Sequence, residues 1–170
     1  ATGKGYASQK GPGRGNSGCG AGYGGRGSAY WSTPLHCYGS LVTPTNLGSG
    51  AQAAGGGAIM LDVRGSVRHD GLLAADGTTI SCAGSGGSVW LTCGAISGAG
   101  MIRADGGSNA TYSGGGGRIA LAVTNAGADF SMFAGVFSAR GWGAPPYGRI
   151  AGGAGTVYLR TADRGIDEGT

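Results

Sequence analysis

The chain has 170 residues, 42 of them glycine, and carries 12 Lys and Arg against 8 Asp and Glu for a formal net charge of +4. That is one domain's length, and the glycine content is far above the usual ~7%, but there is no Gly-X-Y period and only 5 prolines, which excludes collagen. No run approaches the ~18 apolar residues that a membrane helix requires, so no membrane insertion is expected.

Residues 1–57 read as a glycine-rich arm punctuated by Tyr6, Tyr23, Tyr30, Trp31 and Tyr38 and by Lys4, Lys10, Arg14 and Arg26, with no acidic residue before Asp62. Two classes compete for this arm besides low-complexity disorder. Gly-Arg-Gly at 13–15 and 25–27 among tyrosines has the composition of arginine-glycine segments that stack on RNA. The alternative is a long insertion folded over the rest of the domain, and this is the expectation adopted here, with no nucleic-acid partner.

From residue 58 the pattern changes. The segments 56–63 (GGAIMLDV), 86–93 (GGSVWLTC) and 116–123 (GGRIALAV) say nearly the same thing, with Ile59, Val89 and Ile119 spaced by 30 residues each time. A second motif follows each one: 71–77 (GLLAADG), 100–106 (GMIRADG) and 135–141 (GVFSARG), which makes Leu73, Ile102 and Phe137 equivalent. Periods of 20 to 50 residues mark arrays of stacked units. Apolar residues alternate with period two through Ile59, Leu61 and Val63, so the units are strands with one inward face. Two short strands cannot bury that face alone, but stacked copies can. The spacing therefore predicts an all-β parallel β-helix (β-solenoid) of about four rungs over residues 58–170, with Ile59, Val89 and Ile119 in one core column and Leu61, Leu91 and Leu121 in the next. The spaced aliphatics also argue against disorder here.

The connections 77–85, 106–115 and 141–155 are the variable loops of this arrangement. The last holds Trp142, Tyr147 and Arg149, which could stack on sugar rings or simply cover a coil edge. Asn109 opens a glycosylation sequon that has meaning only in a secreted eukaryotic chain.

Cys19, Cys37, Cys82 and Cys93 are an even number with no CxxC spacing. They fit two disulfides in an oxidising compartment, Cys19 with Cys37 and Cys82 with Cys93. Buried thiols are the other reading, and Cys93 on the inward alternation suits it.

The order of motifs at 38–50 (YGSLVTPTNLGSG), 55–59 (GGGAI), 75–77 (ADG), 85–91 (SGGSVWL), 104–107 (ADGG) and 114–121 (GGGGRIAL) resembles the glycine-rich repeat modules of large bacterial and protist surface proteins. The resemblance spans roughly residues 38–161. It implies a parallel β-helical, secreted or cell-surface, adhesin-like protein with no defined activity. The chain departs from the pattern in carrying a single module.

A fourth first-strand, 156–161 (TVYLRT), is followed by Ile166, Asp167, Glu168 and Thr170, which read as the start of a second strand. At the other end, Ala1, Thr2 and Gly3 match the Ala-Asp-Gly of 75–77, with Lys4 next. Read across two copies, the pieces complete one unit, which suggests head-to-tail stacking into a filament. A chain cut from a longer tandem array, as the missing initiator Met would also allow, has the same phase.

Catalysis by a solenoid needs acid and base groups gathered on one face, and the acids here are scattered. Asp76 and Asp105 before glycine are turn residues, no cofactor or metal is expected, and neither His36 nor His69 has a nucleophile partner. Ice binding would need a column of matching small polar residues, whereas the outward columns are Met60, Trp90, Ala120, Tyr158 and Asp62, Thr92, Ala122, Arg160. The expected role is a non-enzymatic extracellular structural protein that associates with itself into a fibre or surface layer. The alternative is an adhesin-type module that binds polysaccharide through 141–155.

Overall fold

Apolar side chains, β-branched at Ile59, Val89 and Ile119, recur at every second position of the repeated segments, and there the chain is extended and paired. In the computed structural model, which describes all residues except 17, 30–35, 109–110, 144–150 and 164–170, the strands are β1 (Ala58–Arg68), β2 (Leu72–Ala74), β3 (Ser88–Ser97), β4 (Met101–Arg103), β5 (Arg118–Val123), β6 (Val136–Ser138) and β7 (Thr156–Arg160). No helix occurs among the described residues.

The strands form two small parallel sheets. One has four strands in the order β1-β3-β5-β7 and the other three in the order β2-β4-β6. Register follows the repeat: Ile59 pairs Val89, Val89 pairs Ile119 and Ile119 pairs Val157, while Leu73, Ile102 and Phe137 align in the smaller sheet. A shift between Val63 and Ser66 places one extra residue in β1, a bulge beside Gly65.

The β-solenoid of about four rungs expected from the 30-residue period is not what forms. The structure has two separate sheets and no solenoid. Residues 75–87, 104–117 and the described part of 139–155, where a coil would need further strands to close, belong to neither sheet. A single Cys82–Tyr112 bridge is the only β pairing there among the described residues. The reason is compositional. These stretches are rich in glycine and lack the alternating aliphatics of the strands; glycine has no side chain to pack on a pleated surface and favours other backbone states. A sequence repeat sets which strands pair and in which register; it does not supply strands to the segments between them.

The glycine stretches instead bond one to another in series: Gly48 N–H to Gly56 O (2.8 Å), Gly56 to Ser85 (2.9 Å), Gly86 to Gly115 (3.0 Å) and Gly116 to Gly153 (3.0 Å). Residues 1–57 are joined into the same array. Ala21 donates to Ala83 and accepts from Gly115, Ser28 donates to Ser113, Gly25 to Gly116, and Gly153 to Arg26. Buried backbone groups must find partners, and glycine lets the chains come close enough to provide them. A methyl group at Gly84 would overlap the carbonyl oxygen of Ala54, and one at Gly114 would overlap that of Gly84.

The apolar core joins both sheets. Val89, Leu91, Cys93, Ile96, Ile119, Leu121 and Val123 from the larger sheet meet Ile102, Ala104, Phe133 and Ala139, with Ile59, Leu73, Phe137 and Leu159 partly buried around them. Full burial of a side chain such as Leu91 contributes roughly 1.5–3 kcal/mol.

Candidate self-association edges

The outer strands of the larger sheet, β1 and β7, close the core columns incompletely. Val89 and Ile119 are 0% exposed, yet Val157 at the end of the same column is 43% exposed. Leu91 and Leu121 are 1% exposed, whereas Leu61 on β1 is 40% exposed. The smaller sheet repeats this in the column Leu73, Ile102, Phe137, where Ile102 on the central strand is fully buried and Leu73 and Phe137 on the outer strands β2 and β6 are only partly buried. An outer strand also presents unpaired N–H and C=O groups, a template for another strand.

Beside the β2 edge lie residues 1–3. The Ala1 ammonium donates to Ala74 O (2.8 Å), Gly3 N–H to Asp76 O (2.9 Å), and Gly57 N–H to Ala1 O (2.8 Å). The same three bonds recur one repeat on: Ala75 to Arg103 (2.8 Å), Gly77 to Asp105 (2.9 Å) and Gly87 to Ala75 (2.7 Å). Ala1, Thr2 and Gly3 thus stand to 75–77 as 75–77 stand to 104–106. Lys4 follows, exposed. Ile166, Asp167, Glu168 and Thr170, the other half of the expected head-to-tail contact, lie outside the described residues.

The outward face of the larger sheet carries two columns, Met60, Trp90, Ala120, Tyr158 and Asp62, Thr92, Ala122, Arg160, in register. Val42 and Thr43 lean over it, bounding a shallow groove floored by Ala120 and Ala122.

The two buried aspartates bind the repeats to each other. Asp76 Oδ1 accepts from Asp105 N–H (2.9 Å) and Oδ2 from Arg103 Nε (2.8 Å) and Nη2 (2.7 Å). Asp105 Oδ1 accepts from Ser138 Oγ (2.6 Å) and Arg140 N–H (2.7 Å). Each carboxylate holds the backbone of the following repeat, a use of turn aspartates that the Asp-Gly dipeptides announce only in part.

Of the candidate glycan residues, Trp142 is described, with the Arg140 guanidinium 4.9 Å from its ring centre. Tyr147 and Arg149 lie outside the described residues, as does Asn109. His69 Nε2 is 3.1 Å from Met101 O and its ring stacks on Phe133.

The expected disulfides are absent: Cys19, Cys37, Cys82 and Cys93 form none. Cys93 points into the core between the sheets, Cys82 belongs to a separate cluster with Ala21 and Ala51, and Cys37 is exposed while Cys19 is buried. Burial pushes the Cys93 thiol pKa up, which keeps it protonated.

Besides the backbone bonds, aromatic anchors at Tyr23 and Tyr38, rather than cystines, hold the described part of residues 1–57 to the sheet. Tyr23 is fully buried, its hydroxyl 2.8 Å from Ser88 Oγ. The Tyr38 hydroxyl donates to Leu47 O (2.6 Å) and lies 2.7 Å from Ser49 Oγ. Arg118, at the start of β5, donates from Nε to Tyr38 O (3.0 Å) and from Nη1 to Thr156 Oγ1 (3.2 Å), with its guanidinium 5.5 Å from the centre of the Tyr23 ring. Sequence reasoning missed these anchors. The available signal was the lone Arg118 at a position where the other repeats have Ala58, Ser88 and Thr156.

No protein-family model matches the chain, and comparison with curated proteins and with solved structures finds no match either. No helix among the described residues is long and apolar enough to cross a membrane.

Proposed function

We propose that this chain is a non-enzymatic structural protein whose copies add head to tail along their sheet edges to build a fibre or surface layer. The observation that carries the reading is the pair of half-closed core columns. Leu61 and Val157 face the interior direction at opposite edges and stay exposed, while their register partners are sealed. Because the sheet is parallel throughout, β1 of a second copy placed beside β7 continues the same ladder. That contact joins two different surfaces, and such contacts grow into open filaments unless a rotation closes them into a ring.

Each added copy would extend the larger sheet by four strands, so the rise per copy is about 19 Å or more at ~4.8 Å per strand. A location outside the cell is part of the proposal and, with no disulfide formed, is supported by the sequence resemblance alone.

Negative-stain microscopy and light scattering over a concentration series test the reading. Elongated particles whose length grows with concentration are expected. A chain that stays monomeric throughout, and gives a glycan-array signal lost on Trp142→Ala, would replace the fibre with the adhesin alternative.

A further inference from the structure

We infer that the contact between copies has a specified register, with Arg160 of one copy set beside Asp62 of the next; this rests on the edge-to-edge reading and adds the chemistry that selects the pairing. Three successive strand pairings in the larger sheet keep one alignment, in which Asp62, Thr92, Ala122 and Arg160 form a single outward column. Repeating the step once more places β1 of a second copy against β7. Ile59 then meets Val157, Met60 meets Tyr158, Leu61 meets Leu159 and Asp62 meets Arg160.

Each of these meetings is favourable. Leu61 and Val157 lose their exposure, the Met60 thioether lies against an aromatic ring, and opposite charges become lateral neighbours. Asp62 is exposed and Arg160 half-buried, and among the described residues neither has an ion-pair partner. The outermost strands of the column thus end in opposite charges, and its interior positions, Thr92 and Ala122, are uncharged.

The neighbouring registers are disfavoured. A slip of one residue turns every inward side chain outward. A slip of two residues in one direction sets Arg160 beside Arg64, a like-charge contact. In the other direction it sets Arg160 beside Met60 and leaves Asp62 unpaired. The occupant of the β7 edge that fits best is therefore a second copy of this chain in the alignment the sheet already uses.

Charge reversal tests the pairing on the whole chain. Asp62→Arg and Arg160→Asp each create a like-charge contact between identical copies and should raise the critical concentration for assembly by about tenfold or more. A one-to-one mixture of the two variants restores opposite charges at both kinds of contact, as does the double variant, so both should assemble near the wild-type concentration. The single-variant defect should also weaken in high salt. Assembly of both single variants at the wild-type concentration, or failure of the mixture to recover, overturns the register while leaving edge-to-edge growth standing. A wild-type chain that never assembles overturns the underlying reading as well. If either reversal loses the β circular dichroism, Asp62→Asn and Arg160→Gln replace it. Wild-type assembly should then weaken with salt while the neutral pair's does not, and an unchanged salt response overturns the pairing.

Discussion

Tyr38 shows how a single side chain ties glycine-rich backbone to a sheet. Its hydroxyl bonds Leu47 O and Ser49 Oγ, its ring lies 4.7 Å from that of Tyr23, and its carbonyl accepts from Arg118. Burial raises the pKa of both phenols above the ordinary 10.0. In the unfolded chain these groups lose their protons at the ordinary value, while in the folded chain they keep them to higher pH. Their contribution to stability is therefore complete below pH 10 and declines as pH rises past it. Denaturant titrations across this range should show stability falling above about pH 10, with a shallower fall in the Tyr23→Phe, Tyr38→Phe double variant. Equal slopes in the two proteins would show that the phenols do not drive it. At Asp105 a different outcome is expected. Replacement by alanine strips the acceptor from Ser138 Oγ and Arg140 N–H and should cost roughly 1–3 kcal/mol in urea unfolding, and Asp105→Asn, which keeps an acceptor oxygen, should cost less.

Among the elements, the contrast is between strands that hold themselves by side chains and connections that hold by backbone. The alternation at Val89, Leu91 and Cys93 made β3 legible before any fold was known, and Leu73, Ile102 and Phe137 did the same for the short strands. The connections gave no such signal, because a glycine residue announces freedom without saying which conformation or partner will use it. Their role is testable by methyl insertion. Gly84→Ala drives a methyl into the Ala54 carbonyl and should destabilise by roughly 1–3 kcal/mol. Gly71→Ala meets nothing within 4 Å and should change stability by about 0.5 kcal/mol or less. Thermal melts of the two variants would separate them, and equal shifts would mean that close backbone contact is not what the glycines provide. The disulfide expectation failed at this scale too. Cys82 and Cys93 are near in sequence, but the strand alternation turns Cys93 into the core while Cys82 sits in a connection beside Ala21 and Ala51.

For the molecule as a whole, the open edges decide behaviour. Natural sheets protect such edges with charge, and lysine is the usual means. Leu61→Lys should therefore leave the single chain folded, since Leu61 is 40% exposed, and abolish growth by placing an uncompensated charge under the next strand. Sedimentation velocity reads both effects: one monomer peak with intact circular dichroism is expected, and undiminished assembly would move the contact away from β1.

The amino-acid sequence alone determined where the paired strands start, their parallel order and their register, because a 30-residue period with alternating aliphatics leaves few ways to bury Ile59, Val89 and Ile119 together; it did not show that β1 and β3 run on past a bulge to Arg68 and Ser97. It did not determine how the segments between strands are arranged. That was decided by backbone hydrogen bonds among glycine stretches far apart in the chain, such as Ala21 with Ala83 and Gly25 with Gly116, and by the Tyr23, Tyr38 and Arg118 anchors. Side-chain periodicity is written in the order of residues, whereas the partner of a bare peptide group is chosen only when distant stretches meet.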